Sequence, residues 1–207
     1  MPFLELINGV PYEFYQINGS KYYKNYNECP PQLKNKLEQC AGEIFISAIP
    51  EHTTADQMAA VACLLGEMYI LRFKVNFAGL SRGFAYLQYM DPNLMNYAID
   101  TLPHLFAANR LGDIRVHRSR NTSNLVLRNV TDMNPDEVRI TLAEMCKYRE
   151  CNLRFLRDKD NTIEYQLVFG SNEDAVKARR LLLGEVDIFG TSATIGWDNY
   201  HGTYGSF

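Results

Sequence analysis

Arg82, Phe84, Tyr86 and Gln88 recur two apart in the run Arg82-Gly83-Phe84-Ala85-Tyr86-Leu87-Gln88-Tyr89. A period of two belongs to a β-strand, so these four side chains share one face and Ala85, Leu87 and Tyr89 share the other. The second set suits a core. The first turns two aromatic rings and a guanidinium toward water. Rings stack on other flat π systems, and a guanidinium pairs with anionic oxygens. The chemistry this stretch offers is recognition of a ligand that is both planar and anionic.

The elements that position it read β-α-β-β-α-β over residues 43–120. Glu43 to Ile49 is a strand ended by Pro50. Thr54 and Gln57 form a capping box for a helix with Met58, Val61 and Leu65 on one side. Tyr69 to Phe77 is the second strand, Ala78 to Ser81 a turn, and the opening run the third strand. Pro92 to Leu102 is the second helix and Asp113 to Arg118 the last strand. Residues 1–42 precede this unit. In them Asn18-Gly19 joins two aromatic, β-prone runs, which is a strong β-hairpin signal because both residues tolerate positive φ. Pro30-Pro31 breaks the chain, and 32–39 reads as a short helix.

Residues 124–200 repeat the order. Leu125 to Val130 is a strand, and Asn134-Pro135-Asp136-Glu137 opens a helix with a cap, a proline and an acid in the favoured places. Cys151 to Arg157 and Thr162 to Phe169 flank a turn at Asp158 to Asn161, Glu173 to Leu183 is helical, and Ala193 to Trp197 closes the sheet. Only Ser119 to Ser123 joins the two units, too short for free tumbling. Residues 201–207 form a tail. The fold class is α+β, with two ferredoxin-like β-α-β-β-α-β domains in tandem and an N-terminal β-hairpin extending the first.

Alternation assigns the outer face of the first sheet. Phe45 and Ser47 come from its first strand and Arg72, Lys74 and Asn76 from its second. Arg82, Phe84, Tyr86 and Gln88 come from its third, and Arg115 and His117 from its fourth. On this reading three rings sit among cations and no acid shares the face. Single-stranded RNA exposes both bases and phosphates and is the expected ligand. The run at 82–89 also matches the RNP1 pattern of the RNA recognition motif (RRM), and Ile44-Phe45-Ile46-Ser47-Ala48-Ile49 matches RNP2 with its ring at the second position. The competing reading is a face covered by the hairpin or the tail, with the rings as core.

The same test fails in the second unit. Its face would hold Val126, Arg128, Arg154, Leu156, Glu164, Gln166 and Val168, with a glutamate and a glutamine where the stacking rings belong. From Asn124 to Phe207 there are 10 Lys and Arg against 13 Asp and Glu. A role in binding protein partners is expected here, with Arg128 and Arg154 as the only side chains suited to touch RNA.

The whole chain, 207 residues with a formal charge of −3, lacks the strong basicity of a non-specific nucleic-acid coat. It shows no apolar run of membrane-spanning length and no basic, apolar leader at its start, so no membrane association is expected. The five cysteines Cys29, Cys40, Cys63, Cys146 and Cys151 lack paired zinc spacing and read as reduced, structural thiols. His52, His104, His117 and His201 fit no metal-ligand motif. No enzymatic activity, cofactor or metal is expected.

With these residues in view, Phe77-Ala78-Gly79-Leu80-Ser81-Arg82-Gly83-Phe84-Ala85-Tyr86 resembles a signature of the tandem-RRM family that includes Dead end, the hnRNP R and Q proteins and the apobec complementation factor. Gln16-Ile17-Asn18-Gly19, Tyr22, Tyr23 and Pro30-Pro31 resemble the upstream segment that forms a hairpin in that family. The resemblance is close over about 12–120 and loose beyond. It implies RNA contact by Phe45, Phe84 and Tyr86 with Arg82 beside them. The chain shows neither a third RRM nor a double-stranded-RNA-binding domain after the second unit, so a short germline member of the Dead end type is the nearest pattern. Such proteins bind 3′ untranslated regions of messages and recruit repressors, which implies post-transcriptional repression in the cytoplasm, with nuclear residence left open. The alternative is a protein-interaction scaffold with little intrinsic RNA binding.

Overall fold

A computed structural model describes residues 3–155 and 163–198. The expected turn at 158–161, Leu156, His201 and the tail at 201–207 lie outside the described residues. The chain divides into two compact units, residues 1–120 and 121–207.

The first unit begins with three strands, β1 (Phe3–Ile7), β2 (Val10–Ile17) and β3 (Ser20–Asn25). They form an antiparallel meander whose two turns are both Asn-Gly. Asn8 and Gly9 have φ of 51° and 80°, and Asn18 and Gly19 have 48° and 69°. Positive φ at both central residues is the type I′ geometry that matches strand twist. The expected hairpin is thus β2–β3, and β1 is an addition to it. Its signal was the earlier Asn8-Gly9, which repeats the Asn18-Gly19 cue.

Then come α1 (Pro31–Glu38), β4 (Ile44–Ser47), α2 (Ala55–Ala62), β5 (Met68–Val75), β6 (Ser81–Tyr89), α3 (Leu94–Ala108) and β7 (Arg115–Arg118). The seven strands make one sheet in the order β1-β2-β3-β5-β6-β4-β7. Its last four strands have the RRM arrangement. The Thr54–Gln57 capping box is formed at α2, with Thr54 Oγ1 accepting from Gln57 N and Gln57 Oε1 accepting from Thr54 N. Helix α3 runs past Leu102, through Pro103, to Ala108. Proline costs a helix about 3 kcal/mol. Burial of Leu102 and Phe106, four residues apart and both fully inaccessible, offsets that cost.

Helices α2 and α3 cover one face of the sheet. Ile44, Ile46, Met58, Leu71, Phe73, Ala85 and Leu87 are among the side chains buried between them. The meander shares this core through Tyr12 and Tyr23, both fully buried. The Tyr12 hydroxyl accepts from Met68 N at 3.0 Å. The Tyr23 hydroxyl lies against the carboxylates of Glu5 and Asp56. Asn25 Nδ2 donates to Glu67 Oε1 and Met68 O. The extension is therefore welded to the RRM by backbone pairing and by side chains that satisfy buried polar groups.

The second unit contains β8 (Asn124–Arg128), α4 (Pro135–Met145), β9 (Glu150–Phe155), β10 (Ile163–Val168), α5 (Asn172–Gly184) and β11 (Thr194–Trp197), with a 3-10 turn at Val186–Phe189. Its sheet order is β11-β8-β10-β9, again that of an RRM. Asn134 and Glu137 make a complete capping box on α4. Leu125, Leu127, Val138, Leu142, Tyr165, Leu167 and Phe169 are in its separate core.

Replacing Tyr12 with Phe removes the hydroxyl that accepts from the buried Met68 N–H. An unsatisfied buried donor costs about 1–3 kcal/mol. Urea unfolding of Tyr12→Phe is expected to show a loss of that size, with the slope against urea unchanged.

Candidate nucleic-acid interface

The open face of the first sheet is built by the pairing of β4 with β6, which sets Phe45 opposite Tyr86 and Ser47 opposite Phe84. The three rings converge. Phe45 and Tyr86 have centroids 5.3 Å apart, and Phe84 lies 6.1 Å from each. None is fully buried. Gly83 has φ +86° and sits where the β5–β6 register shifts between Phe73 and Val75. A side chain there would be strained, so the glycine of the motif is what lets Arg82 and Phe84 flank an irregular strand.

Cations frame the rings. The Arg72 guanidinium lies over Tyr86 at 5.2 Å, and that of Arg82 over Phe84 at 5.4 Å. Lys74 Nζ donates to Ser20 Oγ at 2.7 Å. Burial, with Arg72 and Arg82 nearby, lowers the Lys74 pKa. Arg115 and His117 stand exposed on β7, opposite Ser47 and Phe45. Asn76 is exposed in the β5–β6 turn, where its Oδ1 accepts from Leu80 N.

Two expectations are corrected. Gln88 shares the face but is only 4% exposed. Its Nε2 donates to Leu37 O at 2.8 Å and Ala41 O at 3.1 Å, so α1 and the loop after it cover this end of the sheet. It anchors that cover and is not positioned to touch a ligand. The cover over this end is thus α1 and the loop after it, not the hairpin named in the competing reading, and the tail named with it lies outside the described residues. The face is also not free of acid. Glu43, 2% exposed, forms an ion pair with Arg72 and accepts from Ser119 Oγ at 2.6 Å. Period 2 from Phe45 backwards places Glu43 on this face, so the signal lay in the sequence. The pair aims Arg72, whose buried Nε has no hydrogen-bond partner among the described residues.

The described residues of the second sheet present no comparable surface. Glu164 and Gln166 occupy β10 where rings would stack. Arg128 Nε pairs with Glu164 Oε1 at 2.6 Å. Arg154 makes two parallel bonds to Asp198, at 3.0 and 2.7 Å, and Gln166 Nε2 donates to the same carboxylate at 2.6 Å. Val126 is fully buried. Both arginines expected to suit RNA contact are thus held in ion pairs within their own unit. Asp198 follows the last strand, where alternation no longer indicates a side, so the sequence carries no signal for this pairing.

The five cysteines are free thiols. Burial raises the pKa of four of them, that of Cys40 to about 12 and that of Cys146 to about 11, which makes them poor nucleophiles. No cluster of metal-binding side chains occurs among the described residues. No helix among them is long and apolar enough to cross a membrane.

Two sheets of RRM order, the first with an intact ring face, define a tandem-RRM protein of the RNA-binding class. Residues 125–198 match the family described as Protein tumorous testis C-terminal domain. Protein tumorous testis of Drosophila melanogaster is 32% identical over 186 residues, covering 88% of this chain and 79% of that protein. The chain belongs to the Tumorous testis family. It is also similar to Dead end protein homolog 1 of Xenopus laevis, 33% identical over 38% of this chain and 20% of that protein. RNA-binding protein 47 of Homo sapiens is 26% identical over 94% of this chain, which spans 33% of that longer protein.

Removing one partner of a buried ion pair costs about 3–5 kcal/mol, because the other charge stays behind unpaired. Glu43→Ala is expected to destabilise the first unit by that amount in chemical denaturation, and Glu43→Gln, which keeps a hydrogen-bonding oxygen, by less.

Proposed function

We propose that the protein binds single-stranded RNA sequence-selectively through its first RRM and acts in post-transcriptional repression. The observation that carries this reading is the Phe45–Phe84–Tyr86 cluster with Arg72 and Arg82 over its rings. Such a surface stacks bases of any identity, and the surrounding donors select among them. Lys74, Asn76, Arg115 and His117 border the cluster and are assigned to phosphate and base-edge contacts. The name RNA-binding protein 47, borne by a relative, supports the ligand class. The resemblance to Dead end supports 3′ untranslated regions of messages as targets, a germline setting and a cytoplasmic site of action.

The second RRM is assigned to protein partners. Among the described residues its face lacks rings, and Arg128 and Arg154 are already paired to acids, so little remains to bind a flexible single strand. Ultraviolet crosslinking of the full chain to bound RNA is expected to label peptides from β4 and β6 and to leave β8 and β10 unlabelled.

Base–ring stacking contributes about 1–3 kcal/mol per base. Phe84→Ala and Tyr86→Ala are therefore each expected to weaken RNA binding by roughly 5- to 150-fold in fluorescence anisotropy, with the fold intact by circular dichroism. Arg82→Ala should weaken binding to all sequences alike and flatten the salt dependence, since each phosphate contact on a single strand contributes about 0.7 to the slope of log K against log salt. Unchanged affinity in the Phe84/Tyr86 double variant would overturn the proposal. For the repressive step, the same double variant is expected to silence a reporter message when artificially tethered to it, but not when recruitment depends on the natural untranslated region.

A further inference from the structure

The sheet carries a second pair of rings outside the RRM strands. On β2 and β3 the buried tyrosines, Tyr12 and Tyr23, face the helices. Tyr15 and Tyr22 face the other way, on the same side as Phe45, Phe84 and Tyr86. They are direct cross-strand partners, with ring centroids 4.8 Å apart and planes 10° from parallel. Both are half-buried.

Their place in the register is what matters. Tyr15 is opposite Tyr22, Tyr22 opposite Arg72, Arg72 opposite Tyr86, Tyr86 opposite Phe45, and Phe45 opposite His117. One lateral row therefore crosses six strands, and every position in it is a ring or a cation. Neighbouring strands are about 4.8 Å apart, so Tyr22 stands roughly 10 Å from Tyr86 with Arg72 between them. Lys24 and Lys74 lie on either side of the row, Lys24 opposite Ile70 and Lys74 opposite Ser20. Toward Gln88 the open face is closed by α1, which confines a ligand to the row. In this direction the row leaves the four RRM strands and continues onto the extension without a break in backbone pairing.

We infer that Tyr15 and Tyr22 form an accessory stacking subsite for a further nucleobase of the same single-stranded RNA, beyond the bases held on β4 and β6. This rests on RNA binding by the first RRM. A base lies against the stacked pair, and Arg72, its guanidinium already oriented by Glu43, serves the backbone where the strand crosses β5. The pair is held by its strands before the ligand arrives, so little side-chain freedom is lost on binding. The extension thus lengthens the RNA track as well as bracing the domain.

The test compares fluorescein-labelled, randomised single-stranded RNAs of about four and about ten nucleotides, lengths chosen to fall short of and to exceed one domain's site. The protein is the full chain with Tyr15→Thr and Tyr22→Thr together, threonine keeping a high strand preference. The expected result is a roughly 5- to 100-fold weaker binding of the longer RNA, unchanged binding of the shorter one, and wild-type behaviour of Tyr15→Phe with Tyr22→Phe. An equal loss for both lengths, or none for the longer RNA while Phe84→Ala weakens both, would overturn the subsite. If Phe84→Ala with Tyr86→Ala also changes nothing, RNA binding by the first RRM fails and the subsite with it. Should the threonine variant not fold, crosslinked peptides of the wild-type protein decide. Label from the longer RNA within 10–25 supports the subsite, and label confined to β4 and β6 overturns it.

Discussion

The antiparallel pairing of β4 with β6 is the constraint on which the rest depends. These strands are far apart in sequence, and only their register sets Phe45 beside Tyr86 and Phe84. A slip of β4 by one residue would turn Phe45 into the core and push Ile44 and Ile46 into water, and a slip of β6 would do the same with Phe84 and Tyr86 against Ala85 and Leu87. Burial of those aliphatic side chains, about 25 cal/mol per Å² of apolar area removed from solvent, therefore holds the binding face in place from behind. The recognition surface and the core are two sides of one register.

Around that centre the sheet is widened on one side and capped at one end. The meander adds three strands next to β5, and its buried tyrosines and Asn25 hydrogen-bond to polar groups of the RRM. Helix α1 caps the sheet over Gln88. Between these, the Glu43–Arg72 pair holds a guanidinium against Tyr86. A long, flexible cation becomes an oriented one, and less entropy is lost when it meets a ligand. In the second unit the same kind of pairing recurs without the rings. Arg128 and Arg154 are paired with Glu164 and Asp198, and β10 carries Glu164 and Gln166 where β6 carries Phe84 and Tyr86. Two domains of one topology thus differ in what their open faces can bind.

Much of this was legible in the chain because it is local. Both capping boxes, the Asn18-Gly19 turn and the alternation of Phe84 and Tyr86 depend on neighbours a few residues apart. The first turn of the N-terminal extension is equally local, since Asn8-Gly9 carries the same cue as Asn18-Gly19. Helix α3 was harder. Its proline argues for a stop, and only the burial of Phe106 against distant strands overrides that preference.

By itself the sequence determined the two β-α-β-β-α-β units, the side of each strand turned away from the helices, and the contrast between an outer face with rings and one without. These follow from periodicity and turn chemistry, which act within a few residues. The tertiary structure alone decided that Gln88 is covered, that Glu43 sits under Arg72, that Asp198 neutralises Arg154, and that Tyr15 and Tyr22 continue the row of Arg72, Tyr86 and Phe45. Each of these joins residues tens of positions apart. Alternation states which face a side chain takes, but not which strand lies beside it or what crosses above it, and those are set by strand order and packing.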